Sequence, residues 1–242
     1  MRSIVTTACL LFTLFLAACS SDPANNLRLS EQQYFENAQK ALSSKNFTLA
    51  VQQLEELESR FPFGRFHEQT QLDLIFAYYQ SLDYPAAALQ AQRFLQQYPD
   101  HSESDYAYYM KGLANYSVDR GFLARLLPTR PSERDLSAIK RAYSDFAQLI
   151  NKFPNSRYAQ DAQQRMVYLR NLLAEHELKA AEYYFKRGAY VASVKRCHEI
   201  LQRYPTAPMV EPALALSIKA YRAMGQVDLA QRSEAILKKN FP

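Results

Sequence analysis

The chain has 242 residues, room for one or two domains, and an uneven composition: 5 glycines and no tryptophan, against 17 tyrosines and 14 phenylalanines. So few glycines disfavour Rossmann, phosphate-loop and most all-β architectures, whose tight turns need residues that tolerate positive φ. With 48% hydrophobic residues, 22% charged and a formal net charge of +5, the chain is neither intrinsically disordered nor basic enough to read as a nucleic-acid binder.

The first segment is an address. Arg2, an uncharged and largely apolar run from Ile4 to Leu16, and then Leu16-Ala17-Ala18-Cys19 follow the order of a secretory signal. The run is too short to span a bilayer, which takes about 20 apolar residues. A cysteine directly after the small pair resembles the bacterial lipobox. Residues 1–18 are therefore expected to be a lipoprotein signal peptide, with Cys19 lipidated by a diacylglycerol thioether and an acylated amine of the palmitate type. Several chains anchor far more firmly than one, because each buried methylene contributes ~0.8 kcal/mol. Under the sorting rule of two-membrane bacteria, Ser20 in place of Asp directs such a lipoprotein to the outer membrane. Residues 19–29 are mostly polar, include Pro23 and have no apolar period, so they read as a lipidated tether. With Cys9 removed and Cys19 lipidated, Cys197 has no partner for an intramolecular disulfide.

From Ser30 onward the chain repeats. Aromatic-proline pairs recur at Phe61-Pro62, Tyr98-Pro99, Phe153-Pro154, Tyr204-Pro205 and Phe241-Pro242, at intervals of 37, 55, 51 and 37 residues. Each closes a helical pattern, since proline cannot continue a helix. Counting back twelve residues from the closing proline gives Ala50, Ala87, Ala142, Ser193 and Ala230, a small residue every time. Such a position marks close contact between two helices. An apolar stripe on each second helix needs a stacked neighbour to cover it.

This pattern resembles the tetratricopeptide repeat, a helix-turn-helix of about 34 residues. The expected fold is all-α, an α-solenoid of five tetratricopeptide-like hairpins. First helices are predicted over 30–44, 66–82, 104–117, 156–187 and 209–224, and second helices over 47–61, 84–98, 136–153, 190–204 and 227–240. Repeats one to three occupy 30–154, with an insertion at 118–135 containing Gly121, Pro128 and Pro131. Repeats four and five occupy 155–242. The stretch 156–187 contains no Gly or Pro and reads as one long linking helix that fixes two binding surfaces on a rigid rod.

Chemistry is sparse. No two of His67, His101, His176 and His198 have the i, i+4 spacing of a helical zinc site, and no nucleophile elbow or Walker loop is present. Cys197 falls at a core position of its repeat, and Glu175-His176-Glu177 reads as a solvated face. No enzymatic activity, metal or cofactor is expected.

The first helices are more informative, because in tetratricopeptide folds they line the groove. Register places Phe35, Phe76, Tyr79, Tyr106, Tyr109 and Tyr116 there in the N-terminal repeats, an aromatic set suited to an extended or helical peptide. The equivalent C-terminal positions are mixed and charged, with Glu182, Lys219 and Arg222 among them.

Several segments carry a closer likeness: Arg60-Phe61-Pro62-Phe63-Gly64, Gln71 to Tyr79, Tyr109-Met110-Lys111-Gly112-Leu113, Phe153-Pro154-Asn155-Ser156, Ala181-Glu182-Tyr183-Tyr184 and Arg187-Gly188-Ala189-Tyr190. With the lipobox, the third-repeat insertion and the long fourth-repeat helix, they make the chain similar to the BamD family, outer-membrane lipoproteins of the β-barrel assembly machinery. The resemblance implies a non-enzymatic scaffold, lipid-anchored at the periplasmic face of the outer membrane. It implies binding of the periplasmic domains of BamA through the C-terminal repeats, of accessory Bam lipoproteins, and of the aromatic-rich C-terminal targeting strand of unfolded outer-membrane proteins. Lys195, Arg196 and Arg203 on the second helix of repeat four are the expected BamA-facing residues. Two alternatives stand beside it, a pilotin-type lipoprotein of the same architecture escorting a secretin and, from another class, an adaptor regulating a cell-wall synthase.

Overall fold

The computed structural model describes residues 29–118 and 136–241, and all regular structure among them is helical. The signal peptide at 1–18, nearly all of the tether at 19–29 and all but the first residue of the insertion at 118–135 lie outside the described residues. The helices are α1 (Glu31–Ser43), α2 (Phe47–Arg60), α3 (His67–Gln80), α4 (Tyr84–Gln97), α5 (Ser104–Val118), α6 (Ser137–Lys152), α7 (Ala159–Lys186), α8 (Tyr190–Arg203), α9 (Val210–Ala223) and α10 (Val227–Asn240). The helices follow one another as hairpins along the chain, and the fold is the expected all-α tetratricopeptide-like solenoid. Two compact units divide after His67. In the first, α1 packs on α2; in the second, each of α4 to α9 packs on the helix that follows it, and α9 also meets α7.

The starts and stops follow from local chemistry. Ser30 opens α1 with a capping box: its hydroxyl accepts from the Gln33 N–H, and Gln33 Oε1 accepts from the Ser30 N–H at 2.8 Å. Asn46 and Asp83 cap α2 and α4 by accepting from the N–H groups of Leu49 and Ala86 at 3.2 and 3.1 Å. At the other ends, proline clashes with a helical conformation of the residue before it. Phe61, Tyr98, Phe153 and Tyr204 accordingly sit at φ between −129° and −132°, each still donating its N–H to the carbonyl four residues back. The aromatic-proline pair is thus a stop that spends no extra residue.

Four hairpin turns place the residue two before the second helix in the left-handed region: Lys45 (φ 59°), Leu82 (67°), Gly188 (72°) and Gly225 (72°). Only the C-terminal pair uses the residue type suited to that conformation.

The small residues twelve before the closing prolines are all buried, at 0% exposure for Ala50, Ala87, Ala142 and Ser193 and 2% for Ala230. Ser193 satisfies its hydroxyl by donating to the Ala181 carbonyl at 2.8 Å. Gly112 on α5 lets α6 approach closely: a Cβ there would lie 2.6 Å from the Phe146 ring. The core of the second unit runs on through Phe94, Phe146, Leu149, Leu169, Cys197 and Ile200, all fully buried.

Candidate protein-interaction surfaces

Of the aromatic residues expected in the N-terminal groove, Phe35 belongs to the first unit and the other five to the second. Phe35 stacks on Phe66, ring centroids 4.2 Å apart and nearly parallel, and the Arg65 guanidinium lies over the Phe66 ring at 4.5 Å. Phe63 in the same connecting loop is 96% exposed.

In the second unit, α5 and the start of α7 bring Tyr106 and Tyr109 together around Tyr158. Tyr109 stacks on Tyr158 at 4.6 Å and donates its hydroxyl to Asp161 Oδ2 at 2.7 Å. Burial, then the hydrogen bond to Asp161, pushes the Tyr109 hydroxyl up to about 12. Tyr106 lies 5.9 Å from Tyr158, its hydroxyl also raised, chiefly by burial. Ser156 Oγ donates to Asp105 Oδ2 at 2.6 Å, which ties the turn before α7 to the first turn of α5. Further along, Tyr116 is buried with its ring edge-on to Tyr168 and the Arg165 guanidinium 5.7 Å above it, while Arg165 also pairs with Asp161. Tyr79 is half-buried, 3.4 Å from Ser117 Oγ and 5.4 Å from the Tyr84 ring. Phe76 on α3 and Tyr168 on α7 keep 36% and 45% of their surface exposed.

Hairpin register does not place Tyr158, Asp161, Arg165 and Tyr168 in the groove, because they lie on the extra first half of the long helix. The signal was there: their spacing of three, four and three residues puts them on one helical face.

The three basic residues of α8 differ in their surroundings. Arg196 Nη1 donates to Glu177 Oε2 on α7 at 2.9 Å, and Glu177 is mostly buried. This hydrogen bond is the largest influence on Arg196, strengthening its hold on its proton. Glu177 is therefore not part of a solvated face, as the sequence suggested, but the buried half of a clamp between α7 and α8. Arg203 is exposed and lies 3.6 Å from Glu199 one turn earlier. Lys195 is exposed beside an apolar depression of about 570 Å³ formed with Tyr190, Val191 and Met224.

No group of three His, Cys, Asp or Glu residues suited to a metal occurs among the described residues, and no described helix is long and apolar enough to cross a membrane. Cys197 is fully buried, and burial pushes its thiol up from the ordinary cysteine value, away from the reactive thiolate.

The family model described as YfiO, outer membrane lipoprotein, matches residues 28–236. The chain belongs to this family of outer-membrane lipoproteins. Among the family's curated members, the outer membrane protein assembly factor BamD of Vibrio cholerae is 37% identical over 231 residues, covering 96% of each chain. That of Neisseria meningitidis serogroup A is 39% identical over all of this chain and 92% of its own. The Pasteurella multocida protein of the same name is 38% identical over 99% of this chain and 92% of its own. Membership of the YfiO family places the protein at the outer membrane.

Proposed function

We propose that the protein is a non-enzymatic scaffold of outer-membrane protein assembly, anchored through lipid on Cys19. Its relatives are named outer membrane protein assembly factors, and likeness along nearly the whole chain supports the same role here. In this reading the aromatic face of α3, α5 and α7 takes the C-terminal targeting strand of an unfolded outer-membrane protein. The basic edge of α8, with Lys195, Arg196 and Arg203, holds the periplasmic domains of BamA, and accessory Bam lipoproteins join the assembly.

The observation that carries the substrate assignment is the set of partly exposed rings, Phe76 and Tyr79 on α3, Tyr106 on α5 and Tyr168 on α7. A strand with alternate aromatic side chains can lay its rings against such exposed rings, each pair contributing about 0.5–1.5 kcal/mol beyond area burial. Ordering the strand opposes binding, so affinity stays modest. Tyr116, whose own ring is buried, meets Tyr168 edge-on and backs that member of the set.

Titration of the detergent-solubilised lipoprotein with a fluorescent peptide copying such a last strand tests this. Phe76→Ala and Tyr79→Ala are each expected to weaken binding about two- to tenfold with helicity unchanged. Lys219→Ala on α9 is expected to have no effect. Peptide crosslinks confined to α8, α9 and α10 would assign the strand to the opposite end and sink this reading.

A further inference from the structure

On another side of the second unit, α4, α5 and α6 enclose a polar concavity of about 420 Å³, with Leu89 and Gln92 from α4, Lys111 and Asn115 from α5, and Arg141 and Asp145 from α6 among its walls. The assigned aromatic and basic residues have no part in it. Its floor is a built network. Asp145 is only 3% exposed, and its carboxylate accepts from Asn115 Nδ2 at 2.7 Å and from Lys111 Nζ at 3.1 Å. Asn115 Oδ1 in turn accepts from Arg141 Nε at 3.3 Å.

The inventory of donors and acceptors is unbalanced. Among the described lining residues two cations face one carboxylate, which leaves one positive charge in excess. Arg141 spends only Nε and Lys111 only one of its three N–H donors on protein partners among the described residues. Among the described residues the guanidinium's terminal amino groups and two ammonium hydrogens are left as donors, Arg141 reaching solvent while Lys111 is mostly covered, so that a charged acceptor can bond to both. At the rim, Leu89 presents an apolar side chain that is 51% exposed.

We propose that this concavity is a docking site for an acidic segment of a partner protein, which seats one Asp or Glu carboxylate on Arg141 and Lys111 and rests a neighbouring apolar side chain on Leu89. A recess with one net charge and an apolar ledge fits a single carboxylate beside a hydrophobic residue. A membrane of anionic lipid would instead be met by an open field of several cations. The Asn115–Asp145 network holds the two cations in place before the partner arrives, so little ordering cost remains for the complex.

A photocrosslinking amino acid at Leu89, in the full-length lipoprotein in its own envelope, provides the test. The expected product is an adduct to a protein, mapped by mass spectrometry to within a few residues of an Asp or Glu. Arg141→Glu, at an exposed position, is expected to lower the yield by on the order of tenfold. Changing the mapped acid to Lys in that background is expected to restore it. A yield indifferent to Arg141→Glu, an adduct to a segment without acidic residues, an adduct to lipid, or no adduct would each overturn the proposal. None of these outcomes bears on where the targeting strand binds.

Discussion

Toward its N-terminus α7 meets α5 through stacked and edge-on tyrosines with the Asp161–Arg165 pair laid across them; past Glu177 it meets α8 through one buried carboxylate and its guanidinium, with Ser193 bonded to the Ala181 carbonyl. The two halves of one helix thus hold their neighbours by different means. Rings attract other rings with little dependence on salt, and their exposed edges can accept a peptide's rings without losing the ones already stacked. A charge pair is selective and screened by salt, and a substitution there acts on the fold and on any partner at once. Binding at the first half should therefore be nearly salt-insensitive, and binding at the second steeply salt-dependent.

The largest effect that breaks this contrast is expected at Tyr116. Truncation to Ala removes a buried ring from between Tyr168 and Arg165 and should lower stability by about 3 kcal/mol, read as a fall in the urea midpoint at constant slope. A shift as small as that of an exposed residue would mean the aromatic half is not core.

Next comes the clamp. Arg196→Leu leaves Glu177 unpaired, but Arg196 keeps 42% of its side chain exposed, so the cost is discounted to about 1 kcal/mol. Arg196→Glu should also weaken BamA pull-down, more at low salt than at high. The exchange of both charges, Arg196→Glu with Glu177→Arg, separates two causes. If Arg196 acts only by holding α8 on α7, the exchange restores pull-down; if it touches the partner, binding stays weak.

Alkaline pH sharpens the aromatic side of the comparison. Burial, then the hydrogen bond to Asp161, pushes the folded Tyr109 hydroxyl up to about 12 from an ordinary 10.0, so its contribution is complete below pH 10 and is lost as pH rises toward 12. Tyr109→Phe should flatten that part of the pH–stability curve, with one fewer late-titrating tyrosine by absorbance. An unchanged curve would show that Tyr109 ionises as freely in the folded protein as in the unfolded chain.

The hairpin turns are expected to give effects no larger than the clamp's. Gly188→Ala puts a Cβ on a left-handed residue and should cost about 1 kcal/mol, although nothing lies within 4 Å to clash with it. Leu82→Gly relieves the same strain at an exposed position but loosens the unfolded chain, leaving a net change of a few tenths of a kcal/mol. Equal and opposite midpoint shifts would show that backbone strain alone governs these turns.

Much of the frame was legible because its signals are local. A proline fixes the residue before it, a small residue marks a helix crossing, and both recur in every repeat. The second helices begin at Phe47, Tyr84, Tyr190 and Val227, as read from spacing alone. The long helix begins at Ala159 rather than Ser156, because the Ser156 and Ala159 N–H groups close turns onto the carbonyls of Phe153 and Ser156. Surface chemistry was less legible because it is set between helices. Glu177 and Arg196 are 19 residues apart, and only the packing of α8 on α7 turns a charged stretch into a buried pair. Register places Tyr116 in the groove, but it is buried, and the ring packed edge-on against it stands 52 residues further along, on α7.

Cys197 lies on α8 between α7 and α9, fully buried and unpaired. A thiol so enclosed meets a soluble alkylating reagent only when α8 lifts away from its neighbours, so its labelling rate is a clock for that opening. The clock sits one residue from Arg196. Any partner that clasps the basic edge of α8 will slow it, and the ratio of rates with and without the partner reads how firmly the C-terminal hairpins are held shut in the assembled machine.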